Sequence, residues 1–285
     1  MNDYQLGLYE KALPGELSFP QKLELARSCG FDWLEISIDE TDEKQKRLWW
    51  TEEEIQKLRG EIGQTGVPIL TMCLSGHRKY PFGAHDAKVR EHSLDIMQRA
   101  VNLAGELGIR IIQLAGYDVY YETSDEDTVR WFRENLQKAA LMAARGGVCL
   151  GFETMETPFL DTVEKGMRYV RQVDSPYLGM YPDIGNLKNA ACLYGNSVPD
   201  DLRLGRGHTF AAHLKETKPG VYRNMRFGTG HTEYEPCIAE LLRQGVRMFT
   251  GEFWYQKEPD WQQNVCAASS FLREKIEAAS ELNIG

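Results

Sequence analysis

Short apolar runs alternate along the chain with longer stretches in which apolar positions recur every three or four residues. The first pattern marks buried strands and the second amphipathic helices. The runs recur at intervals of roughly 30–40 residues, a soft repeat of strand–helix units. QLGLY (Gln5–Tyr9) is the first predicted strand, and Ser18–Cys29 is the helix behind it, stopped by Gly30. WLEISID (Trp33–Asp39) is the second strand. The helix after it opens at Thr51, with Glu54 placed to complete a capping box. Val67–Leu74 is the third strand, followed by a helix from Ala87 to Leu107 that ends at Gly108. Strands are then expected at Ile109–Gly116, Gly147–Glu153, Tyr177–Asp183, Thr209–Glu216 and Val246–Phe253. Helices are expected at Ser124–Ala144, Thr162–Val173, Pro236–Gln244 and Trp261–Leu282.

Eight strands with helices between them predict a single (β/α)8 TIM barrel, with residues 1–285 as one domain. Several of the strands are apolar throughout, as parallel strands covered on both faces must be. No Pro-, Gly- or Ser-rich linker divides the chain. A doubly wound open sheet is the rival architecture. The first strand–helix turn lacks the GxGxxG that a dinucleotide-binding version would carry.

Composition narrows the partners. The net charge is −9, from 33 basic and 42 acidic residues, which argues against a nucleic-acid partner. It leaves room for a phosphorylated small substrate, which a few local cations suffice to hold. No run approaches the roughly 18 apolar residues of a membrane helix, and the N-terminus has no signal-peptide pattern. The expectation is a cytoplasmic protein with no membrane contact. Six cysteines are scattered without a CxxC, so they are expected to be reduced packing residues.

In a barrel of this kind chemistry gathers at the C-terminal ends of the strands. The fifth predicted strand ends in Glu153, the sixth in Asp183 and the eighth in Glu252, and the seventh carries His213 near its end. A lone acid at a strand end is usually solvated or caps the next helix, and a lone histidine is usually a bonded core residue. Three carboxylates on neighbouring strand ends repel one another unless a cation lies between them. Three carboxylates and a neutral imidazole suit Mn²⁺, Zn²⁺ or Co²⁺.

The segments GFETMETPF, YPDIGN, AAHLKET, RFGTGH and TGEFW resemble those of the xylose-isomerase-like barrel superfamily. They most resemble its L-ribulose-5-phosphate (L-xylulose-5-phosphate) 3-epimerases. LEISIDETDEKQKRLWWTEEE and LSGHRKYPFGA extend the resemblance, which runs from Tyr9 to about Trp254. Position by position, it places the metal ligands on Glu153, Asp183, His213 and Glu252. The one visible departure is Thr229, where relatives often carry an acid. The resemblance implies a divalent metal cofactor, Zn²⁺ or Mn²⁺, and a sugar phosphate as the small-molecule partner. It implies removal of the C3 proton of a ketose phosphate through an enediolate, with Glu153 and Glu252 as the catalytic pair. Barrels of this kind often pair, so a homodimer is expected.

Other residues are candidates for holding substrate. Glu156 is placed to hold a substrate hydroxyl, and Asn186 sits just past Asp183. Lys215 and Arg226 are phosphate candidates, and His77 and Arg78 are placed to cover the substrate. His231 is assigned to the surface or to a supporting position, and His85, His92 and His208 to the fold. The alternatives are an aldose–ketose isomerase or a 3-epimerase of unphosphorylated ketoses on the same scaffold. A polyol dehydratase, a multi-zinc nuclease and a non-enzymatic sugar-binding barrel fit the residues less well.

Overall fold

The computed structural model describes residues 3–282. The chain begins β1 (Gln5–Tyr9), α1 (Phe19–Ser28), β2 (Trp33–Ser37), α2 (Asp42–Gln45), α3 (Glu52–Thr65) and β3 (Ile69–Leu74). It continues α4 (Ala87–Leu107), β4 (Ile111–Ala115), α5 (Glu126–Gly146), β5 (Cys149–Glu153), α6 (Val163–Val173) and β6 (Leu178–Met180). The last third is α7 (Ile184–Tyr194), α8 (Val198–Arg203), β7 (Ala212–Leu214), α9 (Tyr234–Arg243), β8 (Met248–Gly251) and α10 (Trp261–Glu281). No helix among the described residues is long and apolar enough to cross a membrane.

The eight strands are parallel and ordered β6-β5-β4-β3-β2-β1-β8-β7. First and last strands are neighbours, with Gln5 opposite Met248 and Leu8 opposite Gly251. The fold is therefore TIM-barrel-like, but it departs from a regular (β/α)8 barrel in two ways. The seam between β6 and β7 has no continuous ladder, only isolated bridges from Met180 to Thr209 and from Asp183 to His213. Ten α-helices occur among the described residues rather than eight. The extra pieces lie in the loops, where α2 follows β2, and α7 and α8 together fill the β6–β7 crossover. Helices of four to six residues, such as α2 and α8, carry too few turns to leave a periodic signature.

The helix ends follow local chemistry. Thr51 and Glu54 form the expected reciprocal capping box at the start of α3. Gly66, Gly108 and Gly147 end α3, α4 and α5 in the left-handed conformation that glycine adopts without strain.

Inside the sheet the residues are layered. Trp33, Ile111, Tyr181, Ala211 and Met248 form an apolar cluster, three of them at the very start of their strands. A polar layer is bonded together above it. The Glu35 carboxylate accepts from the Thr71 hydroxyl at 2.5 Å and from the Tyr181 hydroxyl at 2.9 Å, and Tyr181 lies 2.6 Å from the Thr250 hydroxyl.

A second polar hub lies at the end of β1. Glu10, 1% exposed, takes Lys22 Nζ at 2.8 Å, Lys44 Nζ at 2.6 Å and the Arg47 guanidinium at 2.6 and 2.7 Å. It also accepts from the Ser37 amide at 2.9 Å. One carboxylate thus ties α1, α2 and the turn after α2 to the ends of β1 and β2.

The cysteines correct one expectation. Cys29 and Cys266 form a disulfide, with Cα atoms 4.4 Å apart across 237 residues of sequence. They meet because α10 packs beside the end of α1, where Arg273 also donates to the Gly30 carbonyl and pairs with Asp32 at 3.0 Å. Cys73, Cys149, Cys192 and Cys237 are free thiols.

Candidate active site

β5 delivers Glu153 from its last position, and Glu252 follows β8 directly. His213 is the middle residue of β7. Asp183 lies three residues past β6, where it caps α7 by accepting from the Asn186 amide at 2.7 Å. That turn brings the start of α7 against the end of β7. Gly185 permits the approach, because a methyl group there would lie 2.7 Å from the Lys215 carbonyl oxygen.

One donor atom from each of Glu153, Asp183, His213 and Glu252 lies within 4.8 Å of all the others, and all four residues are buried. His213 Nδ1 is 3.4 Å from Glu252, 3.6 Å from Glu153 and 3.9 Å from Asp183. On the far side of the ring, His213 Nε2 donates to Glu35 at 2.7 Å. That bond fixes the ring so that Nδ1 faces the carboxylates, the usual support for a metal-ligating histidine. The Gln113 amide donates to the second oxygen of Glu153.

The fit of a divalent cation rests on what these atoms lack. His213 Nδ1, Asp183 Oδ2 and Glu252 Oε2 are all buried without an aligned hydrogen-bond partner. Lys215 Nζ lies 3.0 Å from Asp183 Oδ2 and 3.1 Å from Glu252 Oε2, as an ion pair rather than a directed hydrogen bond. Lys215 offsets part of this buried charge, and the three atoms still converge with Glu153 on one point where a divalent cation would satisfy them together. The cluster is capable of holding a divalent metal ion.

Electrostatics within the cluster are polarised. Burial pushes Asp183 up to about 8, helped by Glu252 and Glu153 and opposed by Lys215. Burial also raises Glu252, but Lys215 and His213 outweigh it and hold that carboxyl well below its usual range. Burial disfavours charge on His213, yet Glu35 and Glu252 overcome it and hold the imidazole well above its ordinary value. Burial and the neighbouring carboxylates thus favour the protonated forms of Asp183 and His213, whereas Lys215 and His213 favour the carboxylate form of Glu252.

A cavity of about 250 Å³ opens over the cluster. Glu156, Asn186, Lys215 and Arg78 all line it, together with Glu153 and Glu252. Asn186 donates to the Thr154 carbonyl at 2.8 Å and leaves its own side-chain oxygen buried and unpartnered. Glu156 accepts from Arg223 at 2.8 Å and from the Tyr120 hydroxyl at 3.3 Å.

Two candidates are not brought to this cavity. His77 is buried, 3.1 Å from the Ser93 carbonyl and packed on Phe82 at 4.4 Å; burial pushes its imidazole down to about 4. Arg226 bonds Asp260 at 3.1 Å and lines a separate cleft with Phe227, Phe253 and Phe271. His231 lies in the same β7–α9 loop, 3.1 Å from the Thr217 hydroxyl.

Several residues near the site escaped the sequence reading. Glu35 and Gln113 are polar residues inside apolar strands, WLEIS and IIQLA, and that mismatch was the available signal. Tyr9, Lys11, Ser75 and Trp254 line the cavity from loops and strand ends, where no periodic pattern marks them.

The sequence matches the family described as xylose isomerase-like TIM barrel over residues 23–275, and the chain belongs to that family. It is 40% identical over 275 residues to the L-ribulose-5-phosphate 3-epimerase UlaE of Escherichia coli O157:H7, covering 96% of this chain and 95% of that protein. The same identity and coverage hold for the protein of that name from Shigella boydii serotype 18. Among solved structures, D-psicose 3-epimerase from Clostridium cellulolyticum H10 superposes with a TM-score of 0.79 at 16% identity, covering 95% of this chain and 99% of that one. An L-ribulose 3-epimerase structure gives 0.78 at 16% identity, covering 98% and 96%. At those identities the structural likeness speaks for the fold.

Proposed function

We propose that the protein is a metal-dependent 3-epimerase that interconverts L-xylulose 5-phosphate and L-ribulose 5-phosphate. The observation that carries this reading is the pair of carboxylates, Glu153 and Glu252, that flank His213 Nδ1 at the floor of one cavity. The 40% identity to L-ribulose-5-phosphate 3-epimerases over nearly the whole chain supports the substrate.

The reaction needs a base and an acid on opposite faces of C3, and each must exchange roles when the direction reverses. A divalent cation, Zn²⁺ or Mn²⁺, would be held by Glu153, Asp183, His213 and Glu252, and would supply Lewis-acid stabilisation of charge developing on the substrate oxygens. Lys215 and His213 favour the carboxylate form of Glu252, the form a proton acceptor must have. Glu153 is oriented by the Gln113 amide on one oxygen, which leaves the other turned toward His213. Asn186 Oδ1 and Lys215 Nζ offer one acceptor and one donor to the sugar hydroxyls. The remaining assignments are one domain over residues 1–285, small-molecule substrates only, and a homodimer.

The test is solvent deuterium incorporation. Metal-reloaded protein is given L-ribulose 5-phosphate in D₂O, with Glu153→Gln and Glu252→Gln as controls. Deuterium at C3 with L-xylulose 5-phosphate appearing, and loss of both in the controls, is the expected result. Deuterium at C1 with an aldose product would instead assign an isomerase. No exchange at either carbon would sink both readings.

A further inference from the structure

Four cations stand on the wall of the 250 Å³ cavity: Lys11, Arg78, Lys215 and Arg223. Three of them are already committed. Lys11 pairs with Asp39 at 2.6 Å, Arg223 with Glu156 at 2.8 Å, and Lys215 with Asp183 and Glu252 at 3.0 and 3.1 Å. The Arg78 side chain makes no ion pair or hydrogen bond among the described residues. Its guanidinium lies over the Tyr120 ring at 4.7 Å, and its Nε is buried with no hydrogen-bond partner. Tyr117, whose ring is 5.2 Å from that of Tyr120, also has a buried hydroxyl without a partner.

Arg78 is half-buried, and the Tyr117, Tyr120, Glu156 and Glu40 side chains around it favour its charge although none of them bonds the guanidinium among the described residues, so its N–H fork stays open to an added anion. Its planar fork suits a phosphate, which accepts two parallel N–H bonds. The turn Ser75–Arg78 follows β3 directly, and Ser75 lines the same cavity. Stacking on Tyr120 holds the guanidinium in place before any anion arrives, which reduces the entropy lost on binding.

We propose that Arg78 anchors the 5-phosphate of the substrate and sets the preference for phosphorylated over free ketopentoses. This rests on the reading of the site as a ketopentose-phosphate epimerase. It separates Arg78 from Lys215, whose ammonium is held among the cluster carboxylates, and from Arg226, which lies outside the cavity.

The experiment compares the metal-loaded wild type with Arg78→Gln and Arg78→Lys on L-ribulose 5-phosphate and on L-ribulose. Inorganic phosphate serves as a calorimetric ligand and as an inhibitor. A lost charge-assisted bond lowers binding about 10- to 100-fold. Arg78→Gln is therefore expected to lower kcat/KM for the phosphorylated sugar about 100-fold, mostly through KM. The ratio of kcat/KM for phosphorylated over free sugar should fall at least about 30-fold. Arg78→Lys keeps the charge without the fork and should fall between the two. Phosphate binding should weaken in parallel.

An equal loss on both substrates, or phosphate binding unchanged in Arg78→Gln, would overturn the assignment. Phosphate that fails to bind the wild type, together with equal turnover of both sugars, would overturn it as well. If the wild type epimerises neither sugar, the catalytic reading fails on its own. Loss of phosphate binding in Arg78→Gln would then still establish the anion site.

Discussion

Glu35 lies behind His213, out of the cavity and fully buried, and it should control how tightly a metal ion is held. Its carboxylate accepts three bonds: from His213 Nε2 at 2.7 Å, from Thr71 at 2.5 Å and from Tyr181 at 2.9 Å. Glu35→Gln preserves the shape. Its carbonyl still accepts from Nε2, and its amino group faces two hydroxyls that can rotate to accept. What is lost is the negative charge behind the imidazole. Removing such a partner typically weakens a metal site 10- to 100-fold, and the conservative change should sit near the lower bound, about 1.4 kcal/mol. Glu35→Ala removes all three acceptors and frees the ring to turn. Metal affinity should fall about 100-fold, or about 2.7 kcal/mol. Fold stability should fall by about 3 kcal/mol from the unpartnered donors left behind. The assay is competition for Zn²⁺ against a fluorescent chelator at fixed pH, alongside urea unfolding of the metal-free proteins. Metal affinities within twofold for all three proteins would refute the reasoning, even if the alanine variant were less stable.

Metal loading should release at least one proton, because Glu35 and Glu252 favour the protonated form of His213, which must be neutral to ligate; titration calorimetry in buffers of different ionisation enthalpy reads this, and affinity should rise with pH. Glu10→Ala strands Lys22, Lys44 and Arg47 without their shared carboxylate and should cost about 3–5 kcal/mol in urea unfolding. Burial alone would raise Glu10, but Arg47, Lys44 and Lys22 hold it well below its usual range. Its contribution is therefore complete above the unfolded carboxylate value of about 4.3, and it is lost as pH falls toward the lower folded value. The Cys29–Cys266 bond closes a loop spanning 237 residues, so a reductant should lower stability by up to about 5 kcal/mol; peptide mapping without reductant should recover the linked pair.

Strand positions were legible because burial on both faces writes a continuous apolar run, and Gln5–Tyr9 coincides with β1 to the residue. The four cluster residues were legible because an ionisable group ending such a run breaks the pattern at the place where strands converge. Glu35 broke the pattern too, but in mid-strand, where a single polar residue has many explanations. The disulfide was invisible because nothing local relates Cys29 to Cys266; only the packing of α10 on α1 brings them together. His77 and Arg226 fall on a turn and a loop whose direction depends on tertiary contacts, Ser93 and Phe82 for one and Asp260 for the other. Arg223 reaches the cavity from the long β7–α9 connection, where it pairs with Glu156.

β6 and β7 meet through isolated bridges, and one of them joins Asp183 to His213, two members of the cluster. An ion held by those side chains would act as a clasp on the gap between β6 and β7 among the described strands. Its binding energy is also strand-pairing energy, about 4 kcal/mol at a free metal concentration a thousandfold above Kd. Occupancy then sets how often the gap opens. The amides that cross the gap, Met180 to the His208 carbonyl, Phe210 to Met180 and His213 to Pro182, become a gauge of that opening through their exchange with solvent.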